Sequence, residues 1–344
     1  MQELTIVRPD DWHVHLRDQS VLTHTVAASA KHFGRALVMP NLVPALTTVA
    51  DVLAYRARIL SYLPAHSRFE PYMTLYLNTS IQETDLFLAM QHPHILGAKL
   101  YPAGATTNSL EGTHDITLLY PLFDAMQTYD LVLQVHGEVT FGDIFEREAQ
   151  FIETHLKPIM ANFPKLRIVF EHISTRAAVD FVMDSPATLA ATITPQHLLY
   201  QRNDLLVGGI KPHYYCLPIL KHQNDQAALR QAIASGHPRF FAGTDSAPHA
   251  KTHKENACGC AGIFSAPYAL CFYAQVFDEM KVLPKLNDFT SRFGAEFYQL
   301  PIQTTHLTLI KKPQLIAQSL PFGSDTVIPL AAGTTLPWSI YEEN

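Results

Sequence analysis

Residues Arg35-Ala36-Leu37-Val38-Met39-Pro40 form a short and almost continuously apolar run, and a segment with helical periodicity follows from Thr48. Thr48 stands three residues before Asp51, the spacing of a capping box at a helix start. A strand without alternating polar residues is typical of a parallel sheet that is covered on both faces. This stretch therefore predicts a strand followed by a helix that packs back on it.

The same strand-helix unit recurs along the chain. Helix-patterned segments separate the strands, and Ser80, three residues before Glu83, predicts a second capped helix start. Eight such units are the number that closes a barrel, so we predict an α/β fold: a single (β/α)8 TIM barrel with no β-sandwich domain. An open, doubly wound sheet is the alternative. The predicted strands are Asp10–Leu16, Arg35–Pro40, Glu70–Leu77, Gly97–Tyr101, Leu131–His136, Arg167–His172, Leu189–Thr194 and Arg239–Thr244.

The length of 344 residues is compatible with one large barrel or with two or three smaller domains. We expect one domain over residues 1–344, with an inserted loop around residues 203–221 and further helices after residue 262. The chain contains no G-x-G-x-x-G after the first strand and no G-x-x-x-x-G-K-[ST]. The main sequence argument for a dinucleotide-binding or P-loop protein is therefore absent.

Composition narrows the possible partners. With 25 basic and 31 acidic residues the net charge is −6, and without a basic block we expect neither nucleic acid nor a membrane surface as partner. The uncharged stretch 257–277 is interrupted by Pro267, so we expect it to be buried within the protein. The charged first 20 residues lack a secretory signal pattern, and four cysteines are too few for a disulfide scaffold. We therefore expect a cytoplasmic location.

Polar side chains end five of the predicted strands. A lone histidine in a strand is usually a hydrogen-bonded core residue, but the carboxyl ends of barrel strands converge on one mouth. Residues two apart on a strand face the same side, so His13 and His15 can bind one ion. The joint pattern predicts one shared metal site, and its candidate residues are His13, His15, Lys99, His136, His172 and Asp245.

Four imidazoles and one carboxylate exceed what one tetrahedral ion needs, which favours two metals. A protonated Lys99 would repel them, whereas a buried lysine loses its proton readily and can react with CO2. The resulting carbamate has two oxygens that can bridge two ions. Paired metals hold a hydroxide near neutral pH, and an adjacent carboxylate can pass its proton to a leaving nitrogen. This chemistry is amide hydrolysis.

An ordered set of motifs covers nearly the whole chain. Together they resemble the short bacterial-type dihydroorotases of the amidohydrolase superfamily. The motifs are His13-Val14-His15-Leu16-Arg17-Asp18, Met39-Pro40-Asn41, Lys99-Leu100-Tyr101-Pro102, Val135-His136-Gly137-Glu138, Phe170-Glu171-His172, Thr192-Ile193-Thr194-Pro195-Gln196-His197, Gly243-Thr244-Asp245-Ser246-Ala247-Pro248-His249 and Cys258-Gly259-Cys260-Ala261-Gly262.

The resemblance implies two Zn²⁺ per subunit. One would be held by His13, His15 and Asp245 and the other by His136 and His172, with a carboxylated Lys99 and a nucleophilic hydroxide bridging both. Asp245 would also act as general base and acid. The implied substrate-binding residues are Arg17, Asn41 and His249 for the carboxylate, Thr106 and Thr107 on a closing loop, and Leu217 and Ala261 against the ring.

The implied function is a metal-dependent cyclic amidase of de novo pyrimidine biosynthesis, which reversibly hydrolyses L-dihydroorotate to N-carbamoyl-L-aspartate. The resemblance also implies a homodimer.

Another cyclic amidase, such as a hydantoinase or allantoinase, would use the same metals. Those enzymes generally carry a β-sandwich built partly ahead of the H-x-H motif, and only 12 residues precede His13. A non-catalytic barrel that scaffolds a partner enzyme is the second alternative, although such a protein need not retain every ligand.

Overall fold

Eight parallel strands stand side by side in chain order, β2 to β9, in the computed structural model, which describes residues 2–341. The strands are β1 Glu3–Val7, β2 Asp10–Val14, β3 Arg35–Val38, β4 Glu70–Leu77, β5 Ile95–Leu100, β6 Val132–Val135, β7 Ile168–Phe170, β8 Leu189–Ile193, β9 Phe240–Ala242, β10 His306–Ile310, β11 Gln314–Leu315, β12 Leu320–Phe322, β13 Asp325–Val327, β14 Thr335–Leu336 and β15 Ser339–Ile340. Residue 1 and residues 342–344 of the expected domain lie outside the described residues.

The first and last strands of this sheet meet beyond the end of β9. Val14 and Ser246 form a parallel bridge, the amide of Asp245 donates to the carbonyl of His13 at 2.9 Å, and the amide of His15 donates to the carbonyl of Ser246 at 3.0 Å. The predicted barrel is therefore confirmed, and each of the eight predicted strands has its counterpart in β2 to β9.

Helices connect the barrel strands. Thr48 caps α2 by accepting from the amide of Asp51, as predicted, whereas α3 is capped by Gln82 with Asp85 rather than by Ser80 with Glu83. The α-helices among the described residues are α1 Leu22–His32, α2 Val49–Ser61, α3 Glu83–Met90, α4 Tyr120–Thr128, α5 Arg147–Phe151, α6 Lys157–Asn162, α7 Arg176–Asp184, α8 Pro195–Leu199, α9 Arg202–Leu206, α10 Gln223–Ser235, α11 Lys251–Lys254, α12 Ala269–Glu279 and α13 Phe293–Phe297.

The amino-terminal end of the barrel is filled by aromatic side chains. Trp12 of β2 stacks on Tyr298 with ring centroids 4.7 Å apart, and α13 packs beside them. The register of β2 against β3 shifts between Asp11 and Val14. Trp12 belongs to this inner cluster and Val14 to the larger core that includes the surrounding helices. A bulge of this kind redirects the side chains that follow it, which here include the first histidines of the site.

Three small antiparallel sheets accompany the barrel, and sequence patterning did not predict them. β1 pairs with β10, which also pairs with β15, so both ends of the described chain meet in one sheet. β11 pairs with β14, and β12 pairs with β13. These strands have two to five residues each, too few for a clear alternating pattern.

The uncharged stretch 257–277 is mostly buried from residue 261 onward and includes most of α12. Helix α12 begins two residues after Pro267, because proline does not fit inside a regular helix. Within residues 2–341 no helix has both the length and the apolar character needed to cross a bilayer. Residues 203–221 contain most of α9 and a single 3-10 turn, Pro212–Tyr214.

Candidate active site

All six predicted metal-site residues lie at the carboxyl ends of barrel strands. Each is buried, with at most 8% of its surface exposed. His13 and Lys99 lie within β2 and β5, whereas the other four residues lie one to three positions beyond β2, β6, β7 and β9. His172 and Asp245 adopt left-handed backbone conformations, with φ of 41° and 43°. Such conformations cost energy in residues other than glycine and are concentrated at functional sites.

His13, His15 and Asp245 form the most compact group. His15 Nε2 lies 3.2 Å and His13 Nε2 3.5 Å from the same carboxylate oxygen, Asp245 Oδ1. The two Nε2 atoms are 3.3 Å apart, and one ligand atom from each residue fits within a span of 4.8 Å. Two imidazoles and a carboxylate at these separations form a buried metal-binding group.

Glu171 and Thr192 orient the His13 ring from its Nδ1 side, away from Asp245. Glu171 Oε2 lies 2.8 Å from His13 Nδ1 and accepts from the hydroxyl of Thr192 at 2.6 Å. Burial raises the pKa of Glu171 to about 7. An ionised Glu171 favours the tautomer of His13 with the proton on Nδ1, which leaves the lone pair of Nε2 facing Asp245. Carboxylates commonly fix a metal-binding imidazole in this way.

His136 and His172 form the second pair. His136 Nδ1 lies 3.2 Å from His172 Nε2, and His136 Nε2 lies 3.1 Å from Glu138 Oε2 on its other side. The His172 ring also lies 5.0 Å from the His13 ring, centroid to centroid, so the two groups are continuous. Burial holds the pKa of His172 well below its usual range, which keeps the imidazole neutral and able to bind a cation.

Lys99 lies among these residues. Its side chain is fully buried, Nζ has no hydrogen-bond partner among the described residues, and Nζ lies 5.1 Å from the centre of the Tyr101 ring. Burial lowers the pKa of Lys99 to about 8, against the opposing effect of Glu171 and Asp245. A lower pKa makes the uncharged, nucleophilic form of the amine easier to reach than in an exposed lysine.

The donor set fits a metal centre. Lys99 Nζ is buried and makes no hydrogen bond within residues 2–341. Leaving such groups unsatisfied costs free energy. A bound cation and a modified lysine would satisfy polar atoms that the described chain leaves without partners.

A small cavity of about 20 Å³ lies above these residues at the mouth of the barrel. The metal-site residues His15, His136, His172 and Asp245 line its base. Six of the seven predicted substrate-binding residues line the rest of the cavity, namely Arg17, Asn41, Thr106, Thr107, Leu217 and Ala261. The seventh, His249, lies behind this wall, with Nε2 3.0 Å from the carbonyl oxygen of Ala261.

The sequence and the fold of this chain both match those of a known protein family. The amidohydrolase family profile matches residues 6–333. A dihydroorotase of Coxiella burnetii is 56% identical over 342 residues, which are 99% of this chain and 98% of the relative. This chain is a dihydroorotase-family member. Two solved dihydroorotase structures agree, each at 34% identity over 99% of this chain. The enzyme from Campylobacter jejuni superposes with a TM-score of 0.91 over 98% of its length, and the Saccharomyces cerevisiae enzyme in complex with 5-fluoroorotic acid with 0.89 over 99%.

In this dihydroorotase-family chain Arg17 contributes a cationic group to the cavity wall. Arg17 Nε donates to the carbonyl of Pro248 at 2.9 Å, and Nη2 lies 2.9 Å from His249 Nε2. Burial, followed by the charge of Arg17, lowers the pKa of His249 to about 2. Arg17 lines the cavity, so an anionic ligand there can accept a hydrogen bond from its guanidinium group.

The loop 103–109 covers the cavity of the dihydroorotase-family barrel. Thr107 Oγ1 donates to the carbonyl of Ala261 at 3.1 Å, and the Thr107 carbonyl accepts from the Asn41 side chain at 3.1 Å. The Asn108 side chain donates in turn to the Asn41 carbonyl at 3.1 Å. These three bonds join the loop to two segments of the cavity wall, at Asn41 and at Ala261.

Sequence reasoning assigned no role to several residues of this dihydroorotase-family site. Tyr101 is buried, lines the cavity, and its hydroxyl has no partner among the described residues. A Cβ on Gly262, whose φ is 148°, would lie 2.3 Å from the Ala247 carbonyl oxygen, so only glycine fits there. Tyr101, Glu138, Glu171 and Gly262 all lie within the motifs that indicated the family. Their positions in those motifs were the sequence signal that could have identified these four residues. Position alone did not indicate what each residue does in the site.

Proposed function

We propose that this protein catalyses the reversible hydrolysis of L-dihydroorotate to N-carbamoyl-L-aspartate. The observation that carries the proposal is the position of the buried His13, His15 and Asp245 group directly beneath a cavity with a cationic wall. Dihydroorotate combines a cyclic amide with a carboxylate. The metal-binding group would act on the amide, and the cationic wall would bind the carboxylate. Identity of 56% to the Coxiella burnetii dihydroorotase supports this substrate over other cyclic amides.

The proposed metal ligands are the residues predicted from the strand ends. His13, His15 and Asp245 would hold one Zn²⁺, His136 and His172 a second, and a carboxylated Lys99 would contribute an oxygen to each. Such a pair of ions would polarise the scissile carbonyl and lower the pKa of water to near neutrality. Lys99 meets the requirements for reaction with CO2, because its amine is buried and burial lowers its pKa to about 8.

Arg17 binds the substrate carboxylate in this proposal. A guanidinium group offers a planar pair of donors that matches a carboxylate, and the bonds of Arg17 to Pro248 and His249 fix its orientation. Asn41 and His249 complete this end of the cavity. The ring then lies between Leu217 and Ala261, and Thr106 and Thr107 cover it.

Asp245 moves the proton. In the hydrolytic direction a water oxygen bonds to the ring carbonyl carbon, Asp245 accepts a proton from this water, and the ring C–N bond breaks as Asp245 delivers the proton to the departing nitrogen. Ring closure follows the same steps in reverse. Burial opposes ionisation of Asp245, but the contact with His15 brings its pKa below the ordinary value, so the resting carboxylate is ionised and able to accept a proton.

Several further expectations belong to this proposal. We propose that residues 1–344 act as one domain in which residues 203–221 form a loop beside the cavity, and that the chain works as a homodimer. The small-molecule substrate is its expected partner. The cytoplasmic location stays a prediction.

The direct test is hydrolysis of dihydroorotate by metal-loaded protein and by the same protein after chelator treatment. We expect turnover that chelation abolishes and added Zn²⁺ restores. Asp245→Ala should lose turnover by orders of magnitude, whereas Asp184→Ala, on the exposed end of α7, should retain it. Absence of turnover in the metal-loaded protein would contradict the proposal. Hydrolysis of hydantoin or allantoin in preference to dihydroorotate would favour the other cyclic amidases.

A further inference from the structure

Lys254 is a buried lysine outside the predicted site. It ends the short helix α11, and only 3% of its surface is exposed. Its ammonium group donates to three backbone carbonyls, those of Tyr215 at 2.8 Å, Cys260 at 2.7 Å and Gly262 at 2.8 Å. Three protons thus meet three acceptors, although Lys254 forms no ion pair within residues 2–341. Burying an unpaired charge is costly, and these carbonyl dipoles provide its compensation.

The three carbonyls belong to two segments that form part of the cavity wall. Tyr215 lies two residues before Leu217, and Cys260 and Gly262 flank Ala261. Leu217 and Ala261 both line the cavity. The amide of Gly262 also donates to the Tyr215 carbonyl at 3.0 Å, so Lys254 lies where the two segments meet.

The segment 260–262 is also where the loop 103–109 is attached. The Ala261 carbonyl accepts from Thr107 Oγ1 at 3.1 Å and lies 3.0 Å from His249 Nε2. A shift of residues 260–262 would therefore move the acceptor of the loop and a neighbour of Arg17 together. Since the carbonyls on both sides of Ala261 bind one ammonium group, its position depends on Lys254.

We propose that Lys254 is a positioning residue, whose ammonium group holds segments 215–217 and 260–262 at the separation that the substrate ring and the closed loop 103–109 require. This role rests on the proposed function for its effect on substrate, but not for its effect on the two segments. Lys254 does not contact the cavity itself and takes no part in bond making.

The test compares Lys254→Met with Lys251→Met. Lys251 lies on the same helix, where its side chain pairs with the exposed Glu255. Loss of a charged hydrogen-bonding group at Lys254 should raise KM for dihydroorotate about tenfold, with kcat nearly unchanged, because ground state and transition state both contact the displaced wall. Zinc content should equal that of the unchanged protein. Lys254→Arg should recover part of the loss, and Lys251→Met should behave as the unchanged protein.

Hydrogen exchange gives a readout that needs no turnover. In Lys254→Met the amides of residues 215–217 and 260–262 should exchange about tenfold faster or more, while the barrel strands keep their protection. Unchanged exchange in the two segments, a KM within about twofold of the original, or faster exchange spread over the whole barrel would overturn the proposal.

If Lys254→Met does not fold, Lys254→Gln retains two donors, and the same two measurements on it decide in the same way. Failure of the unchanged protein to hydrolyse dihydroorotate would instead contradict the proposed function and leave the exchange test intact.

Discussion

Glu171 Oε2 lies 2.8 Å from Nδ1 of His13, on the side of the imidazole ring away from Asp245. This one contact decides which nitrogen of His13 is free to bind a cation. The hydroxyl of Thr192 donates to the same carboxylate oxygen at 2.6 Å and accepts from the amide of His172 at 2.6 Å. A single buried network therefore joins the two histidine groups of the site.

Removing this network should weaken metal binding. In Glu171→Ala, His13 loses the acceptor that fixes its ring, so we expect the affinity for Zn²⁺ to fall roughly 10- to 100-fold. Competition with a chromophoric chelator measures this affinity. Glu153→Ala, on the exposed side of the helical segment Ile152–Leu156, is the matched control. Affinity of Glu171→Ala within the error of the control would show that Glu171 has no orienting role.

Arg17 should contribute mainly to substrate binding. In Arg17→Ala the cavity loses its guanidinium group, and loss of a charge-assisted contact with the substrate carboxylate should raise KM at least about tenfold. The decrease in kcat should be smaller. Steady-state kinetics with dihydroorotate check both parameters, with Arg68→Ala as a control on an exposed segment. An unchanged KM would remove Arg17 from the proposed carboxylate site.

The hydrogen bond between Thr107 and Ala261 should contribute to kcat/KM. Thr107→Val keeps the shape of the side chain but removes the donor to the Ala261 carbonyl. One neutral hydrogen bond corresponds to a roughly three- to tenfold loss in kcat/KM. Thr154→Val, on an exposed helical surface, should leave kcat/KM unchanged. Equal values for the two variants would mean that this bond does not contribute to closure over substrate.

The amino-terminal end of the barrel offers a stability test away from the chemistry. A Cβ at Gly294 would lie 2.0 Å from Trp12 Nε1, so Gly294→Ala should destabilise the fold by about 1–3 kcal/mol through overpacking. Urea denaturation measures the loss. At Gly34 a Cβ would meet only the end of the flexible Gln303 side chain, at 2.8 Å, so Gly34→Ala should cost less. A larger loss at Gly34 would contradict this account of the packing.

The sequence predicted the barrel well because its strands are buried on both faces. Runs such as residues 36–39 carry no alternating polar residues, and this property identifies strands of a parallel sheet. The antiparallel pairing of β1 with β10 could not be found in this way. These strands are short, and their partners lie about three hundred positions apart, for example Leu4 with Leu309, so local periodicity carries no information about the pairing.

The residues of the site were also predictable only in part. The metal-site residues could be predicted because strand ends of one barrel must converge, and the arrangement of His13, His15 and Asp245 confirms this for the compact group. The network of Glu171 and Thr192 could not, since it depends on distances between neighbouring strands. The role of Lys254 could not be predicted either, because a lysine beside other charged residues in the sequence is usually exposed. Only the folded chain shows three carbonyls around it.

The central claim is that six side chains converge on two metal ions bridged by a modified lysine. A crystal structure of the zinc-loaded protein, with anomalous scattering recorded on both sides of the zinc absorption edge, tests it most directly. The account predicts two zinc peaks roughly 3.5–4 Å apart, one beside His13, His15 and Asp245 and one beside His136 and His172, with additional density for a carboxylate on Lys99 Nζ between them. A single peak with an unmodified Lys99, or zinc bound away from these residues, would contradict it.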